Sequence, residues 1–245
     1  MLSKNSIEKF LNQDRRGASP LPGLIVLEET DSTNQYAKRL ISGGDQTYKY
    51  SGVAVAASRQ TSGRGRLGRS FYSPEGTGVY LTVILPEKYT EILTEKEDFA
   101  GTVTITAAVA AVRAVKAVSG KDASVKPVND IIIDGKKVAG ILAEGVFCGG
   151  EPAGLICGIG INVFDPENGF PEDIASRAGS LFGRFPGSCV NTEKIREELA
   201  GRFISGFLDL ICGVCRDFEK QRGGAAGDGI LRSVLSEYDS KLLRI

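Results

Sequence analysis

The chain contains no histidine. That absence removes Ser-His-Asp and Cys-His nucleophilic catalysis, histidine-ligated zinc and phosphohistidine chemistry together. Any catalysis must run on Arg, Lys, Asp, Glu, hydroxyls and backbone amides. There is no surplus of charge either, since 30 Lys and Arg stand against 30 Asp and Glu over 245 residues. Such balance argues against a general polyanion binder, whose affinity rests on excess cations. Cysteine is scarce and odd in number: Cys148, Cys157, Cys189, Cys212 and Cys215. A chain of this length does not depend on disulfide staples. Met1 to Asp14 is polar and mixed and does not read as a signal peptide. Val103 to Val118 is the most apolar run, but Arg113 and Lys116 interrupt it, so a buried helix is expected there and no membrane span. A reduced, cytoplasmic protein is the expectation. Cys212 and Cys215 form a C-x-x-C pair with no second pair to complete a metal site, and core packing is expected of them.

What is present is an ordinary globular composition, 42% apolar and 24% charged, enough for one large domain or two small ones. Ser6 to Leu11 reads as a short helix and Gly17 to Gly23 as a loop. Leu24 to Leu27 is a compact apolar strand. Asp31-Ser32-Thr33 offers three N-cap types before a helix over Asn34 to Ile41, which Gly43-Gly44 stops. Val53 to Ala57 and Val79 to Leu85 read as strands, and Glu87 to Asp98, being charged, as a loop. A long helix follows over Phe99 to Ser119. Val125, Ile131 to Ile133, Val138 to Val146 and Gly154 to Val163 read as further strands, with a tight turn at Asp134-Gly135. Asn191 or Thr192 caps a last long helix, whose buried face is Ile195, Leu199, Phe203, Phe207 and Ile211. Strands joined by tight turns and flanked by helices predict an α+β fold, a mixed and largely antiparallel sheet with helices packed on it.

Three segments could carry chemistry. Gly63-Arg64-Gly65-Arg66-Leu67-Gly68-Arg69 satisfies G-x-G-x-x-G. A dinucleotide fingerprint must open a helix, and Phe71-Tyr72-Ser73-Pro74-Glu75-Gly76 cannot. Three arginines among glycines can instead close around one anion, because Arg binds phosphate and carboxylate bidentately and Gly permits close approach. The second segment, Lys126-Pro127-Val128-Asn129-Asp130, puts a cation at a strand end, which alone reads as a solvated terminus. The third, Gly158-Ile159-Gly160-Ile161-Asn162-Val163, is an apolar strand with two glycines, a sign of a ligand or backbone lying close. Asn162 then needs a partner.

Together these segments resemble the catalytic core of biotin protein ligases. The resemblance runs through Asp31-Ser32-Thr33-Asn34, Gln60, Gly63 to Arg69, Lys126 with Asn129-Asp130, Gly140-Ile141-Leu142-Ala143-Glu144 and Gly158 to Val163. Order and spacing match over roughly Leu24 to Val163. Enzymes of this family join the biotin carboxylate to AMP from ATP, with Mg²⁺ accompanying the nucleotide, then pass the biotinyl group to a lysine of a carboxylase carrier domain. By resemblance, Ser32, Thr33, Asn34, Gln60, Arg64, Gly65, Arg66 and Lys126 hold biotin, and Arg64, Arg69, Phe71, Asn129 and Asn162 hold ATP or the adenylate. Arg66 and Lys126 are the implied catalytic residues, and no metal is fixed by the protein itself. A carboxylate is already a nucleophile and needs no base, which suits a protein without histidine; Asp130 is a nearby candidate to deprotonate the carrier lysine.

Three departures qualify the resemblance. The family commonly has Lys-Trp-Pro-Asn-Asp where this chain has Lys126-Pro127-Val128-Asn129-Asp130, and Trp where Phe71 stands. Many members continue into a small β-barrel. Residues 1–235 are read as the catalytic domain and 236–245 as the start of such a barrel. Too few residues precede the core for a winged helix-turn-helix, so DNA binding is not expected. A homodimer is left open. The rivals are a lipoate or octanoyl ligase of the same fold and a non-catalytic biotin- or adenylate-binding protein.

Overall fold

The structure, a computed structural model, describes residues 1–13, 23–43, 52–94, 98–185, 191–227 and 229–243. Most of the loop expected at Gly17 to Gly23, together with Gly44 and Cys189, lies outside the described residues. Helix α1 (Lys4–Gln13) precedes strand β1 (Leu24–Thr30), helix α2 (Thr33–Ser42) and strand β2 (Ala54–Gln60). Then come β3 (Gly78–Ile84), α3 (Glu87–Thr94) and the long α4 (Phe99–Ser119). Strands β4 (Ser124–Lys126), β5 (Asp130–Ile133), β6 (Lys136–Cys148) and β7 (Glu151–Asn162) follow, then α5 (Glu172–Ala175), α6 (Thr192–Arg222) and α7 (Ile230–Lys241). The strands form one seven-stranded sheet in the order β1-β2-β3-β7-β6-β5-β4. β1 and β2, joined through α2, run parallel, and every other neighbouring pair is antiparallel. The architecture is α+β, as the residue pattern indicates.

The two faces of the sheet are covered differently. One face carries Leu24, Ala54, Ala56, Leu81, Ala139, Ile141, Ile159 and Ile161 into the main core, where Val103, Ala107, Ala111 and Val115 of α4 and Leu199, Phe203, Phe207 and Ile211 of α6 meet them. α4 has the length and apolarity of a membrane-crossing helix, but these positions bury it within the protein. Cys215 lies in the same core with Cys212 packed against it, and burial pushes the Cys215 thiol up to about 12. On the other face α2 covers only part of the sheet, setting Ala37 and Ile41 on Ile84, Val146 and Ile156. The remainder of that face is open, and the site described below occupies it.

One local expectation is corrected. Glu87 to Asp98 was expected as a loop, but Glu87–Thr94 is α3: Tyr89, Ile92 and Leu93 recur at helical spacing and are buried beneath an otherwise charged surface. Ser236 to Lys241 is the last part of α7, whose Val234 and Tyr238 are buried, and Leu243 then donates to the Val125 carbonyl at 2.8 Å beside β4. The capping predictions hold at α6, where the Asn191 side chain accepts from Lys194 N at 2.9 Å. Asp134 and Gly135 both take positive φ, 51° and 73°, as a tight two-residue hairpin between β5 and β6 requires.

Candidate active site

On β7 the residues facing the open side are Ile156, Gly158, Gly160 and Asn162 in turn. Ile156 lies under α2, and the glycines beyond it make a floor without side chains. Pairing sets Thr82 and Leu142 beside Gly158, and Tyr80 and Gly140 beside Gly160. A Cβ on Gly158 would fall on the amide of Asn34, and one on Gly160 on the ring of Phe71. The crevice over this floor is lined by Ser32, Thr33, Asn34, Gln60, Arg64, Phe71, Gly140, Leu142, Gly158, Ile159 and Gly160, and holds about 290 Å³ open to solvent.

One end of the crevice is a buried polar network. Ser32 stands at the N-cap of α2 but makes no side-chain capping bond. The cap comes instead from the end of β2: Gln60 Oε1 accepts from Thr33 N at 2.9 Å and lies 3.2 Å from Thr33 Oγ1, while Gln60 Nε2 donates to Ser73 Oγ at 2.8 Å. Asn34, only 3% exposed, has its amide orientation fixed. Its Nδ2 donates to Leu142 O at 3.2 Å and Glu144 Oε2 at 2.7 Å, and its Oδ1 accepts from Thr82 Oγ1 at 2.6 Å. Lys38 Nζ neutralises the far oxygen of Glu144 at 2.6 Å. With both amide hydrogens committed, Asn34 offers a ligand only the second lone pair of Oδ1. Asp31 sets the turn before α2: Oδ1 accepts from Ser32 N, and Arg39 grips both carboxylate oxygens at 2.7 and 2.8 Å. The Arg39 guanidinium, with further bonds from Ser32 and Thr30, holds the Asp31 carboxyl well below the usual carboxylate range.

The Arg/Gly segment forms a tight turn over the mouth. Phe71 N donates to Gly63 O at 2.8 Å and Gly65 N to Arg69 O at 2.7 Å, around one 3-10 turn at Arg66–Gly68. Arg64 lines the crevice, whereas Gly65, Arg66 and Arg69 do not; Arg66 and Arg69 lie at the exposed tip beside Leu67. The Phe71 ring meets Tyr80 edge-on with centroids 6.5 Å apart.

Lys126 is exposed at the end of β4 and outside the crevice lining, but it shares a cross-strand row with the floor. Lys126 pairs with Asp130, Asp130 with Gly140, Gly140 with Gly160, and Gly160 with Tyr80. Residues directly opposite one another share a face, so Lys126 stands on the open face about 10 Å, two strand spacings, from Gly140. Asn129 and Asn162 are engaged with backbone away from the lining. Asn129 Nδ2 donates to Ile141 O at 2.8 Å and Asn162 Nδ2 to Gly179 O at 2.9 Å. Asp130 is ion-paired with Lys137 at 2.6 Å. Sequence reasoning missed Lys137, Thr82, Ser73 and Lys38. Lys136-Lys137 after a tight turn reads as a solvated strand start, and hydroxyls inside strands give no signal until the register is known.

Residues 26–162 match the model of the biotin/lipoate A/B protein ligase family. The chain is 39% identical over 158 residues to the bifunctional ligase/repressor BirA of Bacillus subtilis, covering 64% of this chain and 46% of that protein. It is 33% identical over 182 residues to the biotin–[acetyl-CoA-carboxylase] ligase of Paracoccus denitrificans, covering 73% of this chain and 70% of that one. The chain thus spans about half the length of the Bacillus relative. Among solved structures, the biotin protein ligase from Aquifex aeolicus in complex with biotin and ATP superposes with a TM-score of 0.62 at 27% identity, over 90% of this chain and 78% of that one.

Proposed function

This chain belongs to the biotin/lipoate A/B protein ligase family, and from that membership we propose that it activates biotin with ATP and transfers the biotinyl group to a lysine of a carboxylase carrier domain. The observation that carries the reading is the glycine floor at Gly158, Gly160 and Gly140, running from the buried polar end at Ser32, Thr33 and Gln60 toward the row that ends in Asp130 and Lys126. A flat, polar-headed acid lies along such a floor with its head among hydroxyls and amides and its carboxylate toward cations. Ser32, Thr33, Gln60 and Arg64 are the proposed biotin contacts, with Asn34 as the post that holds them.

In the first step a biotin carboxylate oxygen attacks the α-phosphorus of ATP. An acyl-phosphate anhydride, biotinyl-5′-AMP, forms as pyrophosphate leaves. No proton moves, so no base is required. What opposes the step is the approach of two anions, and cations fixed around the junction lower that barrier. Arg64 from the crevice wall and Lys126 from the sheet row supply the charge, while Arg66 and Arg69 reach the adenylate only if the turn over Arg66–Gly68 folds inward. In the second step the carrier lysine, as free amine, attacks the acyl carbon, the acyl–phosphate C–O bond breaks as AMP leaves, and the proton lost from the nitrogen passes to solvent. Among the described residues no group of three His, Cys, Asp or Glu side chains is placed to hold a metal. Mg²⁺ is proposed as the counter-ion that the nucleotide phosphates carry. Substrates of this kind suit a reducing cytoplasm, as do the free thiols of Cys148, Cys157, Cys212 and Cys215.

The test is ATP–pyrophosphate exchange measured with biotin, lipoate or octanoate as the acid. Exchange that depends on biotin, and transfer to a carrier domain, is the expected result. Exchange that responds to lipoate or octanoate and not to biotin assigns the other branch of the family. Binding of biotin without any exchange assigns a non-catalytic binding protein.

A further inference from the structure

The polar network beneath the crevice has a fixed order of hydrogens, because each group in it has only so many to give. Thr33, Asn34 and Thr82 are no more than 4% exposed, so their hydrogens must find acceptors within the protein. A charge anchors the order at its far end. Lys38 holds one oxygen of Glu144 at 2.6 Å, and the other oxygen of that carboxylate can only accept. Both hydrogens of Asn34 Nδ2 are therefore spent, on Glu144 Oε2 at 2.7 Å and Leu142 O at 3.2 Å. Asn34 Oδ1 is left facing Thr82 Oγ1 at 2.6 Å, and it takes the single hydroxyl hydrogen that Thr82 has. The 2.8 Å contact between Thr82 Oγ1 and Thr33 Oγ1 must then be made by the Thr33 hydrogen, since two oxygens that close with no hydrogen between them repel. Thr33 Oγ1 thus meets the crevice as a bare acceptor. Gln60 is turned the same way. Its Nε2 donates to Ser73 Oγ, which donates to Phe71 O at 2.9 Å, while its Oε1 accepts from Thr33 N and keeps one lone pair. Thr33 Oγ1 and Gln60 Oε1 stand 3.2 Å apart, with no hydrogen left for a ligand.

We propose that Thr82 and Glu144, which lie outside the crevice lining, are positioning residues for substrate choice: they consume the Thr33 hydroxyl hydrogen inside the protein, so that this end of the crevice accepts and does not donate. The inference deepens the biotin-ligase reading and rests on it. A free hydroxyl is a rotor that donates or accepts as its partner requires. Here the rotor is stopped by a chain of bonds running from Thr33 through Thr82 and Asn34 to Glu144. A ligand head that carries N–H groups, such as a cyclic urea, satisfies the waiting acceptors. A head with only oxygen or sulfur at those places sets lone pair against lone pair. A site built to bond a donor rejects the analogue lacking it strongly, because buried polar groups are then left unpaired. The carboxylate of Glu144 is what gives the chain its direction. With glutamine in its place, Lys38 would keep the carbonyl oxygen and the new amide hydrogens would face Asn34. Asn34 would then turn over to donate to Thr82, and Thr82 to Thr33, which frees the Thr33 hydrogen for the crevice.

The experiment compares biotin with the two cyclic carbamates in which an oxygen replaces one or the other ring N–H, the rest of the molecule being unchanged. Dissociation constants are measured by calorimetry on the intact chain, Thr82→Val, Thr82→Ser and Glu144→Gln, with circular dichroism to check that each variant is folded. The quantity read is the ratio of carbamate to biotin dissociation constants. If the inference is right, the intact chain binds at least one carbamate about tenfold or more weakly than biotin. Thr82→Val and Glu144→Gln, which release the Thr33 hydrogen, shrink that ratio about fivefold or more, and Thr82→Ser keeps it within about twofold. A merely structural role weakens all three ligands alike and leaves the ratio where it was. That result in folded Thr82→Val, or in folded Glu144→Gln should the first variant not fold, would overturn the inference. So would an intact chain that binds biotin and both carbamates within about twofold of one another. Failure of the intact chain to bind biotin at all would strike the biotin reading itself and take the inference with it.

Discussion

Asn34→Ala is the sharpest test of how the crevice is built, because one buried amide holds the start of α2 onto two strands, β3 and β6. The substitution removes a bond to the Glu144 carboxylate at 2.7 Å, one to Leu142 O at 3.2 Å and one from Thr82 Oγ1 at 2.6 Å. Neutral hydrogen bonds contribute about 1 kcal/mol net and bonds to a charged group about 1.5–3 kcal/mol. The sum is reduced because Glu144 keeps Lys38 at 2.6 Å and Thr82 can turn fully to Thr33, 2.8 Å away. A loss of about 3 kcal/mol follows. For a chain of this size that lowers Tm by about 6–12 °C. Urea denaturation with an unchanged m-value measures it. Glu144→Gln, made alone and together with Asn34→Ala, should give non-additive losses with coupling above about 0.5 kcal/mol. A single-variant loss below about 1 kcal/mol, or additive behaviour in the pair, would refute the claim that Asn34 is the post of the site.

Lys126→Ala should lower pyrophosphate exchange at least about a hundredfold, since loss of one charged transition-state contact costs ~3–4 kcal/mol, while stability changes by less than about 1 kcal/mol; near-normal exchange would make Lys126 a solvated strand end. Arg66→Ala should leave the fold intact and let biotinyl-adenylate escape, read as unselective labelling of added lysines, and an unchanged escape rate would remove Arg66 from the site. Gly160→Ala places a methyl in the Phe71 ring, so the ring must lift; biotin affinity should fall while far-ultraviolet circular dichroism stays the same, and unaltered affinity would mean that the ligand does not use this part of the floor. Asp31 has a folded pKa depressed below its unfolded value, chiefly by Arg39, so its contribution is whole at neutral pH and is lost as pH falls below the usual carboxylate range, ~3.9. Asp31→Asn should accordingly flatten the acid limb of a stability–pH profile, and an unchanged limb would contradict the assignment.

The parts of this molecule that were legible beforehand are those whose signal is local. The alternation through Val79 to Leu85, the Asp134-Gly135 turn and the every-fourth-residue spacing from Ile195 to Ile211 each report on neighbours a few residues away. The glycines of β7 pointed to a close approach, and Asn34 and Phe71 supply it. What could not be seen is long-range. Gln60 caps Thr33 from 27 residues away, and no cap rule reaches that far. α3 was concealed because Glu87, Lys88 and Glu91 colour a helix only eight residues long. The orientation of Lys137 depends on a register shift of β5 on β6 between Ile131 and Ile132, which the sequence of β6 alone does not display, because Val138 is as apolar as any residue meant for the pleat.

The unequal covering of the sheet explains why the site can exist without a cavity in the core. α2 is ten residues long, about 15 Å of helix, and its apolar positions Ala37 and Ile41 settle on Ile156, Ile84 and Val146. Its first turn, at Asn34, lies over Gly158, and its last, at Ile41, over Gly154. A larger residue at 158 or 160 would fill the remaining space with protein and complete a second layer, at a gain in buried area. The glycines forgo that gain and leave backbone as the surface. Phe71 takes up part of the vacancy by lying against Gly160 and Tyr80, which keeps the open face from being an exposed apolar patch. A ligand on the floor must therefore either fit beside this ring or exchange places with it. Phe71 is carried on the same turn as Arg64, its N–H bonded to Gly63 O at 2.8 Å, so the ring over the floor and the arginine of the crevice wall are anchored by one short segment.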